Sequence, residues 1–111
     1  MKIITAMIQP FMLNKVTSAL KALADFPGMT VTEARGFGRR RSLQEQQALH
    51  LDEFKNKTRL EIVTPDEQAQ QIVETLVRAA HTGKSGDGKV FVWPVETAVR
   101  IQTGEQDQAA L

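Results

Sequence analysis

The chain has no cysteine and no tyrosine among its 111 residues, and its aromatics amount to five Phe and one Trp. Without cysteine there is neither a disulfide nor a thiolate metal site, which suits a reducing compartment. Net charge is also close to zero. Fourteen Lys and Arg against thirteen Asp and Glu leave a net +1, too little for global attraction to nucleic acid or to an acidic membrane. The opening Met1-Lys2-Ile3-Ile4-Thr5 leads into no signal-peptide core, and no stretch approaches the roughly 20 apolar residues of a membrane span. A cytoplasmic protein without membrane insertion is expected. No nucleophile, base and orienting group stand in recognisable relation, so no catalysis is expected. The length suits one domain over residues 1–111, with a core small enough that burial between subunits would help.

What the sequence does have is Thr82-Gly83-Lys84-Ser85-Gly86-Asp87-Gly88-Lys89, three glycines and two lysines in eight positions. Glycine reaches positive φ freely and lets a ligand approach the backbone, so successive N–H groups can form a nest for phosphate oxygens. An ordinary glycine-rich turn has the same composition. Gly83 to Lys89 also fits the first seven places of a Walker A loop, but Val90 stands where Ser or Thr must hold magnesium. The segment moreover leaves a helix and enters a strand, the reverse of a P-loop. The anion nest is kept and the P-loop rejected.

The elements read strand, helix, strand, strand, helix, strand. Lys2 to Gln9 is apolar on both faces, as in a strand covered on both sides. Asn14 is a candidate cap for a helix carrying Leu13, Val16, Leu20 and Leu23, which Pro27-Gly28 stops. Met29 to Phe37 and Lys57 to Val63 alternate as strands. Thr64-Pro65-Asp66-Glu67 reads as a capping box with Thr64 at N-cap, Pro65 at N1 and Glu67 at N3. That explains Asp66 and Glu67 without an acid/base role. Ala69, Ile72, Val73, Leu76 and Ala80 then share one helical face, with His81 in the last turn, where positive charge suits the dipole. Lys89 to Trp93 is a further strand, and Val95 to Ile101 holds a turn and a short strand before a polar tail, 102–111. Two split βαβ units make a ferredoxin-like α+β sandwich with an antiparallel sheet. Its second apolar face calls for an oligomer, and Phe91 and Trp93 are assigned to the core or to that interface.

Between residues 38 and 54 the periodicity is lost, and connections of that length are usually functional or mobile. Arg39-Arg40-Arg41 is diluted by Glu45, Asp52 and Glu53, and the first and third strands carry no stacking aromatics, so nucleic acid is not expected. His50, Asp52 and Glu53 fit no ligand spacing, and no metal site is assigned.

In this order, four segments resemble the PII signal-transduction family: Gln9-Pro10-Phe11; Gly28 to Glu33 with Gly36 to Arg39; Thr82 to Val92; and Val95-Glu96 to Val99-Arg100-Ile101 with Thr103-Gly104-Glu105. The resemblance implies a homotrimer that binds ADP or ATP between subunits and docks on a transporter, enzyme or regulator through its long loop. It implies that Gly86, Asp87, Gly88 and Lys89 hold the phosphates through backbone N–H groups and the ammonium. Gly36, Gly38 and Arg39 close from the base of the loop, Thr30 and Val63 meet adenine, and Arg100 reaches the phosphates. The partner loop is represented by Arg41, Ser42, Leu49, His50 and Leu51.

Several positions depart from the family pattern. Arg40 stands where the family has a Gln that helps assemble magnesium and 2-oxoglutarate, and a cation cannot accept from magnesium. Arg40 is instead a candidate for a terminal phosphate or carboxylate, while Lys57 keeps the place of a family residue that contacts 2-oxoglutarate. Gln102 replaces a second arginine, which disfavours a triphosphate more than a diphosphate. With no tyrosine, the tyrosine nucleotidylation of some family members is impossible. These features mark a divergent member with its own partner. The alternative is a trimeric CutA-type metal-responsive or structural module whose glycine loop binds nothing.

Overall fold

The computed structural model describes residues 1–38 and 54–111. Four strands and two helices follow in the order β1 (Lys2–Ile8), α1 (Leu13–Lys21), β2 (Thr30–Gly36), β3 (Lys55–Thr64), α2 (Asp66–Ala80) and β4 (Gly88–Pro94). The strands lie in the order β2-β3-β1-β4 and every pairing is antiparallel. This is the βαββαβ ferredoxin-like sandwich that the element order implies.

Alternation along the strands decides what lies beneath the helices. Ile4, Ala6 and Ile8 of β1 and Leu60 and Ile62 of β3 meet Val16 and Leu20 of α1 and Ile72 and Leu76 of α2 in one buried cluster. Each fully buried aliphatic side chain contributes about 1.5–3 kcal/mol. The two helices cover the central strands, and the edges are thinly covered, so Val31 of β2 and Val92 of β4 remain exposed although they face the helix side.

Among the described residues, the opposite face has no second layer. By register it carries Ile3, Thr5 and Met7, Arg59, Glu61 and Val63, and Phe91 and Trp93. Phe91 and Trp93 are each 48% exposed, which removes them from the subunit's own core. Arg59 and Glu61 pair at 3.2 Å on this face, yet the Thr5 hydroxyl and Arg59 Nε are buried with no hydrogen-bond partner among the described residues.

The ends of the elements differ from the sequence reading in identifiable ways. Pro10–Met12 forms a 3-10 turn that runs directly into α1, so the helix is entered from Met12 and Asn14 caps nothing. The capping box at α2 does not form. Thr64 is the last residue of β3, paired with Lys2 and fully buried; its hydroxyl contacts Pro65 O and Gln68 Oε1, and Pro65 becomes the N-cap. Strand pairing claims the residue before the helix can use it. His81 lies past the last turn of α2, in extended conformation at φ −72° and ψ 126°. The expected strand in Val95 to Ile101 shrinks to one bridge, Val99 with Gln106, and Asp107–Ala110 adds a second 3-10 turn.

Candidate functional site: the glycine loop and its surroundings

Once α2 ends, the chain must reverse into β4, and three glycines at positive φ make the reversal: Gly83 at 87°, Gly86 at 94° and Gly88 at 112°. Gly88 is constrained twice, because a Cβ there would lie 1.7 Å from the carbonyl oxygen of Met7 on the neighbouring strand. Its first duty is therefore to let β4 pair with β1.

The Asp87 side chain turns back on the start of the loop. Its carboxylate accepts from the Thr82 hydroxyl, from the Thr82 N–H at 2.7 Å and from the Gly83 N–H at 2.9 Å. The Thr82 hydroxyl also accepts from the Lys84 N–H at 3.2 Å. These donors, led by the Thr82 hydroxyl, hold the Asp87 carboxyl below the usual carboxylate range, and His81 Nδ1 lies 3.8 Å away. A depressed pKa means that the ordering is present above the ordinary carboxylate range and fades as pH falls below it. Sequence reasoning gave Asp87 only a backbone role and gave Thr82 none, although Thr and Asp flanking a glycine turn are the residues that make such side-chain to backbone bonds.

Lys57, at the start of β3, donates from Nζ to Gly86 O at 2.7 Å and reaches Gln9 Oε1 at 3.5 Å. A Cβ on Gly86 would sit 3.0 Å from Gln9 Nε2. Strand exit, strand entry and glycine loop thus converge. Forty-eight residues separate Gln9 from Lys57, and no local pattern signals that contact. Gly36, opposite Lys55, and Gly38 lie at the same end, where Phe37 and Phe54 meet edge to face at 5.1 Å beneath Arg35.

The remaining expected residues lie elsewhere. Val63 pairs with Ile3, whereas Gly88 pairs with Ile8, five steps or about 17 Å along β1. Thr30 pairs with Glu61 on the far edge strand. The chain carrying Arg100 leaves β4 at the Lys2 end, where the Val95 N–H bonds Met1 O. The Arg100 guanidinium donates to the carbonyls of Leu111 at 3.0 Å and Ala110 at 3.5 Å. One subunit therefore gathers Gly36, Gly38, Lys57, Gly86, Asp87, Gly88 and Lys89 at one end and keeps Thr30 and Val63 away from them, with Arg100 on the segment that leaves from the other end of β4. Arg39, Arg40, Arg41, Ser42, Leu49, His50 and Leu51 lie outside the described residues.

Residues 1–105 match the family model described as Nitrogen regulatory protein P-II. The chain belongs to the P-II family. It is similar over the full length of both chains to the nitrogen regulatory protein P-II of Haemophilus influenzae, 46% identical over 113 aligned positions. To nitrogen regulatory protein P-II 1 of Escherichia coli K12 the identity is 47%, and to the P-II protein of Pasteurella multocida 45%, again with complete coverage of both chains. A P-II chain is a signal-transduction regulator. The CutA-type alternative gives way to this family membership.

Proposed function

We propose that this P-II protein is a homotrimer that binds ADP or ATP in clefts between subunits and thereby controls which protein its 38–54 segment engages. The observation that carries the reading is the separation of the two halves of the site. An adenine nucleotide cannot bridge the two groups of one chain while lying flat on a strand-paired sheet, but a neighbour's Thr30, Val63 and Arg100 can complete what Gly86 to Lys89 begin. The uncovered apolar face supports the association, as do the buried Thr5 hydroxyl and Arg59 Nε on that same face, since buried polar groups are almost always paired.

With the Thr82 and Gly83 N–H groups and that of Lys84 already committed, the second half of the loop is the stretch that receives phosphate, with Lys89 supplying charge. Arg100 is the arginine offered by the C-terminal segment, and Gln102 beside it adds none, so a diphosphate is preferred to a triphosphate. Arg39 and Arg40 join the partner loop to the phosphates, which gives ligand a way to favour one loop conformation over another. The Lys57 ammonium already donates to Gly86 O, so a dicarboxylate such as 2-oxoglutarate has to take its remaining donors, and Arg40 removes an acceptor for magnesium. Cytoplasmic location fits the lack of cysteine, and among the described residues no helix is long and apolar enough to cross a membrane. The relatives' names supply the nitrogen connection: the regulated partner, a transporter, enzyme or regulator, belongs to nitrogen metabolism.

Isothermal calorimetry on the intact protein is expected to show ADP and ATP binding. Lys89→Ala should weaken it by about tenfold or more, the worth of a charge-assisted hydrogen bond. Failure of ATP, ADP and AMP alike to bind the intact trimer would overturn the reading.

A further inference from the structure

We propose that the Asp87 side chain is a positioning group, which folds the glycine loop by gripping its first two residues and itself makes no contact with the ligand. This rests on the reading of the loop as a phosphate site and assigns the one acidic side chain in it a part.

A carboxylate inside an anion-binding loop poses an electrostatic problem, since like charge repels the ligand. The geometry resolves it. Both Asp87 oxygens are turned toward the entry of the loop, one to the Thr82 hydroxyl and the other to the Thr82 and Gly83 N–H groups. The negative charge is spent on local donors, and the loop is closed by a bond set spanning residues 82–87. Among the described residues, the N–H groups of Thr82 and Gly83 bond to this side chain and that of Lys84 to its Thr82 partner. The consequence falls on Gly86 and Gly88, which flank Asp87. With the side chain anchored, the peptide units on either side of it are held in one orientation, Gly86 O toward Lys57 and the positive-φ glycines in place. Without that anchor the loop must find the same arrangement each time it binds, and the ordering cost weakens binding.

The expected pattern separates positioning from direct contact. Asp87→Ala loses all three bonds and should weaken ADP binding at least about tenfold, equally with and without magnesium. Asp87→Asn keeps an oxygen for the two N–H groups and an amide that the Thr82 hydroxyl can accept from, so it should restore most of the affinity. Thr82→Val should produce part of the loss in the wild-type background and little further loss in Asp87→Ala. A ligand-facing or metal-binding Asp87 predicts otherwise: tighter ADP binding in Asp87→Asn, or a loss seen only with magnesium.

Hydrogen exchange of the Thr82 and Gly83 amides, read by NMR without nucleotide, tests the grip independently. Protection should be present in the wild type and in Asp87→Asn and absent in Asp87→Ala, with thermal melting confirming that the core stays folded. Unprotected amides in the wild type, or ADP affinity unchanged in Asp87→Ala, overturn the proposal. Protected amides in a wild-type trimer that binds no nucleotide leave the grip standing and overturn the nucleotide reading instead.

Discussion

At the scale of single residues, the glycines of the loop are not equivalent. Gly88 is needed for φ 112° and for the space that the Met7 carbonyl takes up, whereas Gly28, at φ 103°, has nothing within 4 Å of a Cβ. Gly28→Ala should therefore cost only backbone strain, about 1–2 kcal/mol. Gly88→Ala adds a backbone clash that can be relieved only by parting β4 from β1, and should cost roughly 2–4 kcal/mol. Urea titration of both variants checks this, and a Gly88→Ala protein as stable as Gly28→Ala would refute it. Loss of nucleotide binding in Gly88→Ala is accordingly poor evidence for a phosphate contact, while Lys89→Ala and the Asp87 series test the site without touching the strand pairing.

At the scale of elements, the C-terminal segment is a small folded unit rather than a loose tail. Arg100 and Glu105 bond across a turn closed by Gly104, Asp107 bonds back to Ala98, and the 3-10 turn brings the Ala110 and Leu111 carbonyls onto the Arg100 guanidinium. A phosphate that recruits this guanidinium competes with those carbonyls for Nη2. Deleting residues 109–111 should therefore tighten ADP binding several-fold, and the gain should vanish in an Arg100→Ala background; a gain that persists there would show that the tail acts some other way. The helices tell how far local pattern reaches. The buried faces of α1 and α2 follow the apolar spacing, Val16 and Leu20 in one and Ala69, Ile72, Leu76 and Ala80 in the other. Their starts do not follow the capping residues, because a 3-10 turn precedes α1 and β3 keeps Thr64.

At the scale of the whole molecule, the uncovered face of the sheet is the largest feature the subunit leaves unfinished. Phe91 stands in the row of Thr5 and Glu61, and Trp93 in the row of Ile3 and Val63. Phe91→Asp puts a charge at the edge-strand end of that row and should dissociate the proposed trimer in sedimentation velocity. Because the proposed cleft draws residues from two chains, ADP binding should be lost in the same concentration range. A dissociated variant that binds ADP as well as the wild type would show that one chain suffices.

The element order, the faces of the helices and the glycine loop were legible in the sequence, because periodicity and backbone permissiveness are local properties. The P-II resemblance was legible for the same reason, since its segments are short and keep their order. Three things were decided only by tertiary structure. The Gln9, Lys57 and Gly86 contact joins residues far apart in the chain. Thr64 went to a strand because its partner Lys2 lies at the other end of the sequence. Asp87 became the clasp of the loop because the glycines bend the chain until its carboxylate faces Thr82. Each depends on where the fold brings one segment against another, and no window of neighbouring residues contains that.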